Sequence, residues 1–285
     1  VIPDLGARVR ARNGRLPLIV DGIGSAKRPG PVVVSARDTS QIASGLLLAG
    51  FRIRLVGPVV SAPYIAMTRA VIRRFGGRGP RTVRIEADWS SAAYPLAAAA
   101  ILGKSVRVPG LAPRSLQADR AVLALLRKAG VTCGVDGAGA WCEGTGRVRP
   151  FSIDLRDAPD LAPAAAALAL FADGESRVSG AAHLRAKESD RIASCVAAAR
   201  ALGGRAEERP DGFTIRGGTP RAGKVDPRGD HRIALAFGVA AAAIPGARVL
   251  DRACVSKSWP GAWRDLAPLL RGGPAFSRSR PASRG

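Results

Sequence analysis

The chain repeats itself, and the repeat leaves few folds open. Four times an apolar, helix-like run leads to a glycine and then to a short strand-like segment. The pairs are SQIASGLLLAG with FRIRLVG, SAAYPLAAAAILG with KSVRVPG, APAAAALALFADG with ESRVSG, and HRIALAFGVAAAAIPG with ARVLD. Gly50, Gly103, Gly174 and Gly246 mark the joints, where the residue past a helix end favours a positive φ. A second element lies between the copies: Asn13-Gly14, Asp136-Gly137 and Asp211-Gly212 each sit between strand-like segments and predict hairpins. Amphipathic stretches, RAVLALLRKAG and DRIASCVAAARALGG, precede the second and third hairpins. Alternating helix and strand with interleaved hairpins predicts an α/β fold made of units of roughly 70 residues, helices packed on sheet.

The first hairpin has no such helix before it, because the chain starts at Val1, a few residues ahead of Gly6. The expectation is a C-terminal portion of a longer protein, with an atypical capping repeat as the alternative. At the other end, RGGPAFSRSRPASRG has no periodicity, and residues 273–285 are expected to form a flexible basic tail.

The charge is lopsided: 44 Lys and Arg against 22 Asp and Glu, a net +22, and only six of the cations are Lys. That balance predicts anionic partners. Aromatic residues are 5% and do not interleave with the basic ones, which speaks against nucleic acid. Cys133, Cys142, Cys195 and Cys254 show no CxxC spacing and there are two histidines, so no metal site is expected. The cysteines read as reduced, half-buried thiols, although Cys133 and Cys142 could face each other across a hairpin. No run reaches the about 18 apolar residues of a membrane span, and VIPDLGARVR does not read as a targeting segment. A cytoplasmic protein that does not engage membranes is expected.

The position of the cations says more than their number. A helix N-terminus carries partial positive charge, so a cation there costs roughly 0.3–1 kcal/mol unless an anion intervenes. In GDHRIALAFG, Asp230 is a candidate cap that puts His231 and Arg232 in the first turn. In RAKESDRIASC, Lys187 precedes a helix and Arg191 opens it. In VSKSWPGAW, Ser258 could cap a helix with Lys257 just before it. Thr39-Ser40-Gln41 and Ser90-Ser91 are hydroxyl-rich starts, readable as ordinary caps or as anion sites. Stacked repeats bring equivalent turns onto one face, and there these cations would form an anion-binding hollow. Asp160 reads equally as a helix cap or as an acid–base group. Glu188 lies between Lys187 and Arg191; those cations and the helix dipole lower its pKa, which makes it an ion-pair partner on charge grounds. No P-loop, dinucleotide fingerprint or nucleophile elbow is present.

SSAAYPLAAAAILG, LRAKESDRI, GDHRIALAFG and SKSWPGAW, in this order, closely resemble the 5-enolpyruvylshikimate-3-phosphate synthases, from about Gly6 to Leu270. The resemblance implies a two-domain inside-out α/β barrel of repeated βαβαββ units, with 1–86 the incomplete first domain and 87–272 the second. It implies transfer of the enolpyruvyl group of phosphoenolpyruvate to the 5-hydroxyl of shikimate 3-phosphate in aromatic amino-acid biosynthesis, with phosphate released and no cofactor. Contacts to shikimate 3-phosphate would fall on Thr39, Ser40, Gln41, Ser61, Tyr64, Asp160 and Lys187, and those to phosphoenolpyruvate on Gln41, Arg191, Arg232 and Lys257. Asp160 and Glu188 would be the acid–base pair. His183 stands where some members carry Asn, and Thr39 where they carry Ser. The family's N-terminal cations and its Asn-Ala-Gly turn have no counterpart here, so weak or no turnover of this chain is expected. A monomer is expected. The sister enzymes acting on UDP-N-acetylglucosamine and an inactive fragment are the competing readings.

Overall fold

The computed structural model describes residues 8–13, 15–22, 30–76 and 82–271. The chain forms two compact units, Val1–Gly79 and Pro80–Gly285. The expected tail and Gly14 of the first hairpin turn lie outside the described residues.

In the first unit, β1 (Arg8–Arg12) and β2 (Arg15–Asp21) form an antiparallel hairpin whose turn puts Asn13 at φ 53°. β3 (Val32–Ser35) and β4 (Ile53–Val56) pair in parallel, Val32 opposite Ile53. Parallel neighbours need a crossover, which α1 (Gln41–Leu48) supplies; α2 (Ala62–Phe75) follows β4. Val32, Val34, Ala36, Ala43, Leu46 and Ile65 make a small core. Both helices therefore start at the carboxyl end of the same strand pair.

In the second unit, three helices occupy the middle: α3 (Trp89–Leu102), α5 (Ala162–Phe171) and α7 (His231–Ala242), each packed on the other two. All ten residues of α5 are buried, as they must be in a helix apolar on every side. Sheets lie outside this bundle. β5 (Ser105–Val108), β6 (Thr132–Asp136) and β7 (Gly139–Glu143) form an antiparallel sheet in the order β5-β7-β6. β8 (Ser152–Asp154), β9 (Glu175–Ser179), β10 (Arg205–Arg209) and β11 (Gly212–Arg216) form a second, in the order β10-β11-β9-β8. β12 (Lys224–Val225) and β13 (Arg248–Val249) pair in parallel. α4 (Val122–Lys128), α6 (Arg191–Ala201) and α8 (Ala262–Leu270) complete the unit. Apolar helices within and half-buried sheets without make the α/β fold inside-out.

Local details depart from the expectations in three places. Asp88, not Ser90 or Ser91, caps α3, its carboxylate accepting both serine N–H groups. α8 begins at Ala262, because residues 253–257 are wound into a 3-10 turn that Ser258 closes, and Gly261, not Ser258, holds the N-cap position of α8. Of the four landmark glycines, Gly103 is itself the left-handed C-cap of α3 (φ 66°), whereas Gly174 (φ 144°) follows α5 by three residues, because Ala172 is drawn into a bridge with Val148. Cys133 stands opposite Cys142 across β6 and β7, and all four cysteines are free thiols. Among the described residues no helix is long and apolar enough to cross a membrane.

Candidate functional site

The starts of α5, α6 and α7 meet, and the charged residues placed there by the repeat are joined into one chain of ion pairs. Asp230 caps α7 by accepting the Arg232 N–H (2.9 Å), and Asp190 caps α6 by accepting the Ala193 N–H (3.0 Å). These caps leave Arg232 in the first turn of α7 and Arg191 as the first residue of α6. The Arg191 guanidinium, 1% exposed, donates from Nε to Asp230 (2.9 Å), from Nη1 to Asp160 (2.7 Å) and from Nη2 to Glu188 (2.6 Å). Arg232 reaches the other oxygen of Asp160 at 2.9 Å, and Lys257 reaches the other oxygen of Glu188 at 3.0 Å. The sequence Lys257–Glu188–Arg191–Asp160–Arg232 is thus continuous in space. A guanidinium this deeply buried is tolerable only because every nitrogen has an anionic partner.

Lys187 and His183 border the same group. The Lys187 charge acts on both Asp160 and His183, and the buried His183 Nε2 has no hydrogen-bond partner. His231 is 4% exposed and its Nδ1 is likewise unpartnered. Burial lowers the pKa of both imidazoles, first of all causes, so both are neutral near pH 7. Asp160 is not a helix cap; it lies in the 3-10 turn Pro159–Leu161 and its oxygens serve the two arginines. Burial pushes its carboxyl up, but the charges of Arg232, Arg191 and Lys187 outweigh that and hold it below the usual range. Burial also raises Glu188, yet its own backbone N–H, the Lys257 ammonium and Arg191 bring it down to about 2. In this state both carboxylates are ionised.

Two participants lay outside the sequence reading. Asp119, 1% exposed, accepts a hydrogen bond from the Ser90 hydroxyl, and its carboxyl is raised to about 6 by burial first and the Asp160 charge second. Tyr94, in α3, is buried beside Arg232, and burial pushes its hydroxyl up to about 12. Asp119 reads in sequence as an ordinary first-turn acid and Tyr94 as one more member of an apolar run. Only packing reveals them.

In the first unit, Thr39, Ser40 and Gln41 stand at the start of α1, and Ser61 and Tyr64 at the start of α2. The Thr39 hydroxyl accepts the Gln41 N–H at 3.2 Å, while buried Ser40 makes no side-chain cap. Ser61 is buried and left-handed, φ 54°, a strained setting for a residue with a β-carbon. Thr68 ties the two helices by donating to the Ser44 hydroxyl at 2.8 Å.

Residues 2–266 match the EPSP synthase family, 3-phosphoshikimate 1-carboxyvinyltransferase. The chain is 38% identical to the 3-phosphoshikimate 1-carboxyvinyltransferase of Syntrophobacter fumaroxidans, over 93% of this chain and 69% of that one. It is 36% identical to that of Methanopyrus kandleri, over 89% and 63%, and 38% identical to that of Aeropyrum pernix, over 93% and 66%. It therefore spans about two thirds of the length of these relatives. In structure it is similar to EPSP synthase from Acinetobacter baumannii (TM-score 0.71, 22% identity, 94% of this chain and 68% of that one). It is also similar to the enolpyruvyl transferase NikO from Streptomyces tendae (TM-score 0.67, 17% identity, 94% and 69%). At these identities the structural likeness concerns the fold.

Proposed function

Because the chain belongs to the EPSP synthase family, we propose that it carries out, or contributes its share of, enolpyruvyl transfer from phosphoenolpyruvate to the 5-hydroxyl of shikimate 3-phosphate. The observation that carries this reading is the run of ion pairs from Lys257 to Arg232. Arg232, Lys187 and Lys257 gather where three helices begin, a place suited to small anions of several charges. The reaction needs a proton added at the methylene carbon of phosphoenolpyruvate and attack of the 5-hydroxyl oxygen on the neighbouring carbon. The hydroxyl proton is then lost, a proton leaves the new methyl group, and the carbon–oxygen bond to phosphate breaks, restoring the double bond.

The internal carboxylates give the cations something to exchange. A carboxylate or phosphate arriving at Lys257 and Arg191 competes with Glu188, the more exposed of their partners. Losing those contacts raises the Glu188 pKa from about 2 toward the range in which it can deliver a proton. Asp160, held between Arg191 and Arg232, stays ionised and suits the role of base for the hydroxyl. His183 and Lys187 border that side. Thr39, Ser40, Gln41, Ser61 and Tyr64 are taken as further contacts to shikimate 3-phosphate, supported by their hydroxyl and amide chemistry at two helix starts. The same reading takes the protein as a cytoplasmic monomer that needs neither nucleic acid nor membrane.

The test is calorimetric titration with shikimate 3-phosphate, with and without phosphoenolpyruvate, followed by phosphate release in the same mixture. The expected result is saturable binding that phosphoenolpyruvate strengthens and that Lys187→Ala weakens by about tenfold or more. UDP-N-acetylglucosamine serves as the control and should give no heat. Absence of binding by shikimate 3-phosphate in both conditions would overturn the proposal.

A further inference from the structure

Lys257 is carried by a segment that belongs to no sheet and no α-helix. It ends the 3-10 turn Ala253–Lys257, and its ammonium meets Glu188 at 3.0 Å while the side chain stays 57% exposed. An ammonium on a four-carbon stem holds one place at low cost only if its backbone is fixed first. Val255, 2% exposed, roots the middle of the segment in the core, and its carbonyl accepts both the Ser258 and the Trp259 N–H. The start is pinned from α8: the Trp263 indole donates to the Arg252 carbonyl at 2.9 Å and carries the Arg252 guanidinium over its ring. The end is pinned from α8 as well, because the Trp259 indole donates from Nε1 to Oδ2 of Asp265 at 2.9 Å. Asp265 is itself held, its backbone N–H donating to the Gly261 carbonyl at 3.0 Å and its Oδ1 accepting from Nε of Arg264 at 3.0 Å. A carboxylate 40% exposed gains little from an indole donor that water replaces. What the bond fixes is the Trp259 ring, and with it the backbone two positions from Lys257.

We propose that Asp265 is a positioning residue for Lys257: it holds the Trp259 indole, which fixes the backbone that aims the ammonium at Glu188 and at the anion that takes the place of Glu188. This rests on the reading of Lys257 as a contact to phosphoenolpyruvate. Preplacing the cation spares the ligand the cost of ordering it, so the bond acts on affinity from a distance. Charge alone gives Asp265 the opposite influence. Losing a negative charge in the neighbourhood lowers the Glu188 pKa, whereas releasing Lys257 raises it, because a bonded cation is lost. The two effects differ in sign and are separable.

The experiment has two readouts on the full chain: the Glu188 carboxyl titration by carbon-13 NMR without ligand, and the affinity of phosphoenolpyruvate by calorimetry with shikimate 3-phosphate at saturation. Asp265→Ala removes the acceptor, and Trp259→Phe removes the donor while keeping a ring in place. Each should raise Glu188 above its wild-type value of about 2 and weaken phosphoenolpyruvate about fivefold, the worth of one hydrogen bond. The double variant should be no weaker than either single one, because both remove the same bond. Asp265→Asn loses the charge and keeps an acceptor oxygen, so it should titrate and bind as the wild type does. A Glu188 titration that Asp265→Ala and Trp259→Phe leave unmoved, or that Asp265→Asn moves equally, overturns this inference and leaves the site reading intact. A moved titration with unchanged affinity also overturns it, since Lys257 would then not grip the ligand. No phosphoenolpyruvate binding by the wild type fails the site reading instead, and the titration still decides whether Asp265 places Lys257.

Discussion

Nη1 of Arg191 lies 2.7 Å from Oδ1 of Asp160, joining the first residue of α6 to the turn that opens α5. The same guanidinium binds Asp230, the cap of α7, so one side chain ties three helix starts together. The link organises the site and the core at once, since α5 and α7 are two of the three central helices.

Removing that side chain should be expensive. Arg191→Leu leaves Asp230, wholly buried, and Asp160 without their shared cation; breaking a buried pair from one side costs about 3–5 kcal/mol. Arg191→Lys should recover little of this, because an ammonium cannot present three nitrogens in one plane to three carboxylates. Urea unfolding of both variants checks the point. A midpoint for Arg191→Lys equal to the wild type would mean that the fork is not needed.

A second expectation concerns packing. Gly238 lies in the middle of α7, and a β-carbon there would run into the Trp263 ring. That ring has little freedom to retreat: its Nε1 donates to the Arg252 carbonyl at 2.9 Å, and the Arg252 guanidinium lies 4.3 Å from the ring centre. Gly238→Ala gains about 1 kcal/mol of helix propensity and pays about 1–3 kcal/mol for overpacking. Net destabilisation with shifted tryptophan emission is expected. A more stable variant with unchanged emission would show that the ring moves aside.

What was legible in the sequence was local. Asp230 as a cap, Arg191 and Arg232 in first turns, and the hairpins at Asp136-Gly137 and Asp211-Gly212 depend on neighbours a few residues away, and the structure has them so. The family resemblance added the inside-out arrangement. Glu188 was legible as an ion-pair partner, but its pairing with Lys257 was not, because that contact spans 69 positions. Asp119 and Tyr94 were invisible for the same reason: their importance comes from burial beside Arg232, which only tertiary packing creates. Ser90 looked like a cap or an anion contact, yet its hydroxyl is spent on Asp119.

The cysteines should be slow nucleophiles. Burial raises all four thiols, Cys142 to about 12 and Cys254 to about 11, the latter also through the Asp251 charge. The thiolate is the reactive form, so at about pH 8 only about one Cys254 in a thousand is ready to react. Iodoacetamide with the native protein should label slowly and at Cys254 first, the one cysteine that is not buried. Unfolding should expose all four to rapid labelling. Fast labelling of Cys133 or Cys142 in the native state would mean that the β6–β7 hairpin opens readily.

The Glu188 carboxylate gives the site its clearest pH signature. Its native pKa, about 2, lies below its ordinary 4.5, so the folded state binds its proton less readily than the unfolded chain. The stabilisation from Glu188 is therefore complete above about pH 4.5 and is lost as the pH falls through about 2. Lys257→Ala removes the 3.0 Å contact and leaves Arg191, so the pKa should rise while staying below 4.5. Carbon-13 NMR of the Glu188 carboxyl resonance, read against pH in both proteins, measures this directly. Saturation with shikimate 3-phosphate and phosphoenolpyruvate should raise the wild-type value further than Lys257→Ala does, because the ligands draw away both cations. A wild-type pKa that ligands leave near 2 would remove Glu188 from the proton-transfer role and leave it a purely structural partner of Lys257 and Arg191.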